Sequence, residues 1–207
     1  MTVAHMEHGS DRPQAGASLP EILDAAWLKD LALRCGADDA GLVEPTRKAL
    51  EGDADAVAAL LPGGKTILSL AVHINADALR TPWMGVANRE ASFAAKTADD
   101  AASEISRRLM ALGVRSVAVP GSFPMDTQKW PGKTWPLSHK LVAEQAGLGR
   151  MGHHRLVIHP VFGTAISLSA VLLDHQVFSY DAPLDTSACD NCKLCVAACP
   201  TGSIRAA

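Results

Sequence analysis

The chain has little aromatic surface to offer: one tyrosine, four phenylalanines and four tryptophans, 4% of 207 residues. That scarcity argues against a platform on which nucleic-acid bases stack. Positive charge is not in excess either. Lys+Arg number 19 against 22 Asp+Glu, a formal net charge of −3, so there is no strong nucleic-acid signal. No run of about eighteen apolar residues occurs, which leaves no candidate membrane span. The stretch MTVAHMEHGSDRPQAGAS has no basic start leading into an apolar segment and no twin-arginine pair, so it is not read as a secretory signal. Residues 1–17 read as an unstructured tail in which His5 and His8 are solvated. Internal repeats and low-complexity segments are missing. What remains is an ordinary globular composition, 48% hydrophobic and 20% charged, enough for one good core and a small appended module.

Turn residues divide the rest into alternating elements. Ser18 with Glu21 reads as a capping box for a first helix that Gly36 ends. ADDAGLVE is a short strand candidate. A small helix over about Ala54–Leu61 stops at Pro62-Gly63-Gly64, and KTILSLAVHI reads as a buried strand. Residues 75–90 read as irregular, Ala91–Leu112 as a long helix capped by Gly113, and VRSVAVP as another strand. The segment Pro120–Pro136 is a long proline- and glycine-rich loop, a type that is usually functional inside a compact domain. LSHKLVAEQAG is the next helix and TAISLSAVLLD the last strand. This order indicates an α/β or α+β sandwich over residues 18–181, with a ferredoxin-like module over 182–207.

The module carries the strongest chemical statement. Cys189, Cys192, Cys195 and Cys199, followed by Pro200, are spaced C-x2-C-x2-C-x3-C-P, the run that holds 4Fe-4S clusters in bacterial ferredoxins. The first three thiolates sit close enough in sequence to converge on one cluster, and Pro200 prevents the segment from continuing as helix. The competing reading is a zinc knuckle or a disulfide pair, but zinc sites usually need two separated CxxC pairs and the second is missing. In two-cluster ferredoxins the fourth cysteine of such a run serves the other cluster, and no second run is present here. Cys199 therefore closes the single cluster, or another group does, or the chain is a shortened form of a longer protein. Cys35, in LKDLALRCG, reads as a buried structural thiol. Five cysteines used this way fit a reducing cytoplasm.

Gly147, Gly149 and Gly152 form a G-x-G-x-x-G. The dinucleotide fingerprint needs a strand before it and a helix after it, and here a helix precedes and an extended segment follows. Three glycines beside Arg150, His153, His154 and Arg155 still read as a loop that approaches a flat ligand closely. His153 and His154 are the ligand-facing candidates, and His159 is the structural one.

The string SHKLVAEQAGLGRMGHHRLVIHPVFGTAISLSAVLLD, from Ser138 to Asp174, followed by the cysteine run, resembles epoxyqueuosine reductase and the reductive dehalogenases, cobalamin-dependent reductases with ferredoxin modules. The likeness covers Ser138 to Ile204, about a third of the chain. It implies a flavin-reductase- or nitroreductase-like fold that binds B12 with its nucleotide tail tucked in, and electron delivery from the cluster to cobalt. It places Gly147, Leu148, Gly149, Arg150, Met151 and Gly152 along the corrin or its tail, with His159, Pro160 and Gly163 in support. FMN is the alternative cofactor. The family's acidic proton donor has no counterpart in KWPGKTWPLSHK, and Asp126 lies further back. His153-His154 replaces the family's lysine-asparagine pair. The expected function is reduction of a small or nucleoside-like substrate, with His139, Lys140 or Tyr180 as proton source and an external donor of ferredoxin or flavodoxin type. The alternative is a non-catalytic electron carrier or cobalamin-handling protein.

Overall fold

The computed structural model describes residues 22–121 and 135–205. Ser18, Glu21, the tail at 1–17, Asp126 and most of the loop Pro120–Pro136 lie outside the described residues.

The two longest apolar runs become the middle of the fold. Strands β2 (Asp39–Val43), β3 (Thr66–His73), β4 (Ser116–Val119) and β7 (Ile166–Leu173) form a four-stranded antiparallel sheet in the order β2-β3-β7-β4. The register sets Thr66 opposite Leu173 and His73 opposite Ile166. Side chains of a strand alternate between faces, so a strand reads as continuously apolar only when both faces are covered. Here both are. On one face Leu68, Leu70, Val171 and Leu173 pack against helices α1 (Ala25–Arg34) and α4 (Met84–Ala111). On the other, Ile67, Ala170 and Leu172 pack against a 3-10 turn at Lys48–Asp53 and helices α2 (Ala54–Leu60) and α5 (His139–Gln145). The result is a mixed α/β sandwich of three layers.

Two boundaries differ from the sequence expectation. Helix α1 begins at Ala25, because Asp24 accepts a hydrogen bond from the Trp27 N–H at 2.8 Å and so caps it. Ile22 and Leu23, expected inside that helix, form strand β1 and pair in parallel with Gln176 and Val177 (β8). Residues 75–90 are not irregular. Asn75 caps a short helix α3 (Ala76–Arg80) by accepting from the Asp77 and Ala78 N–H groups, and α4 already starts at Met84. Its first turns escape a periodicity reading because they expose apolar residues, Trp83 at 73% and Phe93 at 63%. Gly36 and Gly113 end α1 and α4 with φ of +106° and +85°, as expected.

After α5 the chain turns through the glycine segment into a hairpin of β5 (Arg150–Met151) and β6 (Val157–Ile158). The glycines thus follow a helix and open a strand, the wrong context for dinucleotide binding. Beyond β8 the module has one short helix, α6 (Leu194–Ala198). Among the described residues no helix is long and apolar enough to cross a membrane.

Candidate functional site

The cysteine module is tied to the sandwich at its first residues. Asp181 extends the edge of the sheet: its N–H donates to Leu42 O at 2.9 Å, and its Oδ2 accepts from the Leu42 N–H at 2.7 Å. Lys29 Nζ meets the other carboxylate oxygen at 2.7 Å. Arg47 joins this tether to the end of α5. It donates to Asp181 O at 2.9 Å and to Gln145 O at 2.5 Å, and its guanidinium is oriented by Glu44 at 2.8 Å. Nothing in the local sequence around Arg47 or Asp181 signals this role, because the contacts span 98 and 134 positions.

The glycine segment begins beside this tether. Gly147 has a φ of +74°, and a Cβ there would stand 2.8 Å from Ala182 O. Leu148 is buried with Ala71, Ala143 and Val157. A Cβ on Gly149 would lie 2.5 Å from Ile158 O, and one on Gly152 would lie 2.7 Å from the His154 ring. The close approaches at Gly149 and Gly152 are therefore made to the chain itself. Close packing within the chain is by itself enough to require glycine at both positions. Met151 donates its N–H to Glu144 Oε1 at 2.8 Å.

Arg150, expected along a corrin or its tail, also has partners within the chain. Its Nη1 donates to Asp185 O at 2.9 Å and to both carboxylate oxygens of Asp190, at 3.1 and 3.4 Å. Asp190 lies between Cys189 and Cys192, so the hairpin grips the loop that carries the first two thiols. Asp190 Oδ2 further accepts from the Ser187 N–H, Ser187 Oγ accepts from the Cys189 N–H, and Cys192 N–H donates to Cys189 O.

His159 builds a turn rather than facing outward. Its ring is buried, and its Nδ1 accepts from the N–H groups of Val161 and Phe162 at 3.1 and 3.2 Å. Nε2 therefore carries the proton and donates to Asp39 Oδ2 at 2.9 Å. Phe162 stacks on both His159 and His73, with centroids 4.7 Å apart in each case. A bridge between His159 and Gly163 closes the turn, with Pro160 exposed at its tip. His154 Nδ1 accepts from the Leu156 N–H at 3.2 Å, and His153 stands next to it, half-buried.

All five cysteines are free thiols, between buried and exposed. Cys189 and Cys192 share the turn just described, Cys195 lies on α6, and Cys199 ends that helix before Pro200. Among the described residues no three His, Cys, Asp or Glu side chains converge on one ion position. What fits a cluster is the donor set with its spacing, four thiols as C-x2-C-x2-C-x3-C-P. Cys199 Sγ is in hydrogen-bond contact with Ser203 Oγ at 3.3 Å and Thr201 Oγ1 at 3.5 Å. Led by Ser203, these donors and the Ile204 N–H stabilise the thiolate and hold its pKa down to about 6. In iron-free protein, alkylation of Cys199 by iodoacetamide should rise with a pH midpoint of about 6. Ser203→Ala should move that midpoint upward. A parent midpoint in the ordinary thiol range would contradict the geometry. Cys35, by contrast, has its pKa raised by burial, as suits a structural thiol.

Of the three expected proton sources, the structure brings two together. His139 and Lys140, at the start of α5, line a cavity of about 200 Å³ with Asp99 and Ser167. His139 Nε2 faces Pro120 O at 3.1 Å, and a carbonyl only accepts, so this nitrogen bears the proton. Burial lowers the pKa of His139, and Nδ1 has no hydrogen-bond partner among the described residues. Burial and the Pro120 contact together favour the neutral ring. Asp99, which sequence reasoning missed, has Oδ1 fixed by the Gly121 N–H and Ser169 Oγ, both at 2.9 Å. Tyr180 is elsewhere. It donates to Lys65 O at 3.0 Å beside Thr66, at the opposite end of β3 and β7. Five residues of strand, roughly 17 Å, separate that end from the cavity.

Residues 182–205 match the 4Fe-4S binding domain family. Over 185 residues the chain is 29% identical to the epoxyqueuosine reductase of Synechococcus sp. (strain RCC307), across 87% of this chain and 51% of that protein. The epoxyqueuosine reductase of Synechococcus sp. (strain CC9605) is 41% identical over 70 residues, 34% of this chain and 21% of the relative. The chain is similar to epoxyqueuosine reductases. It spans about half the length, or less, of these relatives, which are oxidoreductases by name. An epoxyqueuosine reductase solved with an epoxyqueuosine-modified tRNA-Tyr stem loop shares its fold, with a TM-score of 0.57 and 20% identity over 86% of this chain and 52% of that one. A reductive dehalogenase described by a mechanism of B12-dependent dehalogenation does so as well, at 0.64 and 15% identity over 86% and 25%. The shared fold covers as much of the chain as the sequence match to the Synechococcus sp. (strain RCC307) protein, well beyond Ser138–Ile204.

Proposed function

We propose that the chain is an iron–sulfur reductase in which Cys189, Cys192, Cys195 and Cys199 hold a 4Fe-4S cluster that feeds a cobalamin for reduction of a small or nucleoside-like substrate. The observation that carries this reading is the grip of Arg150, on the glycine hairpin, upon Asp190, inside the cysteine loop. It seats the cysteine loop against the segment that resembles a corrinoid-binding turn. The named chemistry of the relatives, with a modified tRNA stem loop in one case and B12 in the other, supports the rest. We read the sandwich itself as the flavin-reductase- or nitroreductase-like arrangement.

The bound groups supply single electrons and a strongly reducing centre, drawn from an external donor of ferredoxin or flavodoxin type. This chain's own residues hold and orient. His153, Pro160 and Gly163 offer the outer face of the hairpin and turn to the corrinoid, since Leu148 and Gly149 face inward. In the cavity, Lys140 donates the proton, His139 forms part of the wall behind it, and Asp99 fixes the wall. A net charge of −3 gives no field for a tRNA backbone, which favours a small or nucleoside-like substrate. Free thiols suit a reducing cytoplasm.

The test is anaerobic reconstitution with iron and sulfide, then hydroxocobalamin or FMN, then gel filtration with metal analysis. About four irons per chain with co-eluting cobalt are expected. Retention of FMN in place of cobalt would move the reading to a flavin. Iron with neither cofactor would leave an electron carrier.

A further inference from the structure

The geometry points to Arg150 and Asp190 as the pair that positions the cluster against the hairpin and tunes its reduction potential. The inference rests on the cluster part of the proposed function and not on its corrinoid part. Arg150 is anchored on β5, where Gly149 lies tight against β6, and its guanidinium reaches out to Asp185 O and to the Asp190 carboxylate. Asp190 in turn holds the Ser187 N–H, and Ser187 holds the Cys189 N–H. A continuous line of bonds thus runs from the sandwich to the first cysteine ligand. The pair is part-exposed, with side chains 35% and 41% accessible, so its contribution to global stability is small. Its consequence is local: one cation and one anion are fixed at the loop that brings the first two thiolates. A cluster held by four thiolates becomes more negative by one charge on reduction. A nearby cation favours the reduced state and a nearby anion opposes it.

The two charges therefore make opposite demands, which separates this role from a purely structural one. Arg150→Gln and Asp190→Asn both remove the charge pairing, weaken the tie and should both speed amide hydrogen exchange over residues 182–192. Their midpoint potentials, measured by dithionite titration followed by EPR without any corrinoid, should shift in opposite directions. Arg150→Gln leaves Asp190 unpaired and lowers the potential, whereas Asp190→Asn leaves Arg150 unpaired and raises it. Arg150→Lys keeps the charge without the fork, so it should hold a potential near the parent's while exchange is partly raised. Shifts of one sign in both charge-removing variants, or unchanged exchange, would overturn the inference. If Arg150→Gln fails to retain iron, Arg150→Lys decides: iron retained at the parent level supports the pairing, and iron lost overturns it. A parent protein that takes up no iron would sink the cluster reading itself, a result distinct from all of these.

Discussion

Cys192→Ser should leave a folded protein without its cluster. A serine hydroxyl does not ionise in the range where a thiolate does, so one iron loses its ligand and the cage loses a corner. Cys192 also closes the loop, its N–H donating to Cys189 O two residues before α6 begins. The expected reading is less than about one iron per chain against about four in the parent, with the broad visible absorption and the dithionite-induced EPR signal both gone. The sandwich should keep its melting temperature, because every buried apolar side chain precedes residue 178. A variant with full iron would refute the ligand assignment. The same measurement on Cys199→Ser tests whether the fourth corner is closed within this chain, where the depressed pKa of about 6 marks Cys199 as a ready ligand.

Gly149→Val should strike the fold instead. Its Cβ would enter to 2.5 Å from Ile158 O and 2.7 Å from Val157 Cγ1, and the first of these is backbone that cannot swing aside. Strand β5 must then separate from β6, carrying Arg150 away from Asp190. Overpacking of this kind costs on the order of 3 kcal/mol. For a domain of this size that is roughly 6–12 °C in melting temperature, at about 2–4 °C per kcal/mol. Gly163→Ala is the control. Nothing stands within 4 Å of a Cβ there, and only a φ of +60° opposes it. That conformation costs about 1 kcal/mol for a residue other than glycine. Equal melting temperatures for Gly149→Val and the parent would show that the hairpin is not as close as described.

The glycine turn shows where sequence reasoning met its limit. Three glycines near two histidines and two arginines read as a ligand loop, and no local pattern tells an approach to a cofactor from an approach to one's own backbone. Gly149 and Gly152 are required by β6 and by His154, and Arg150 is required by Asp190, 40 positions away. The same limit applies to Tyr180, hydrogen-bond-capable in type but placed by Lys65 and Thr66 at the end of the sheet opposite the cavity. By contrast, the buried strands at 66–73 and 166–173, the Gly36 and Gly113 helix ends, and the helix-then-extended context of the glycine turn were all legible. Each depends on residues within a few positions of one another.

That locality divides what each level decides. The sequence alone determined the donor set and its spacing, because four thiols within eleven positions carry their chemistry wherever the chain folds. It also determined the alternation of helix with doubly buried strand, since burial on both faces is written into the apolar runs. Only the tertiary structure decided what the module rests on and which polar groups share the cavity. Arg47 with Asp181, Arg150 with Asp190, and Asp99 with Ser169 meet across 134, 40 and 70 positions. Contacts of that span exist only once the sheet has set its strand order, and no short stretch of residues encodes them.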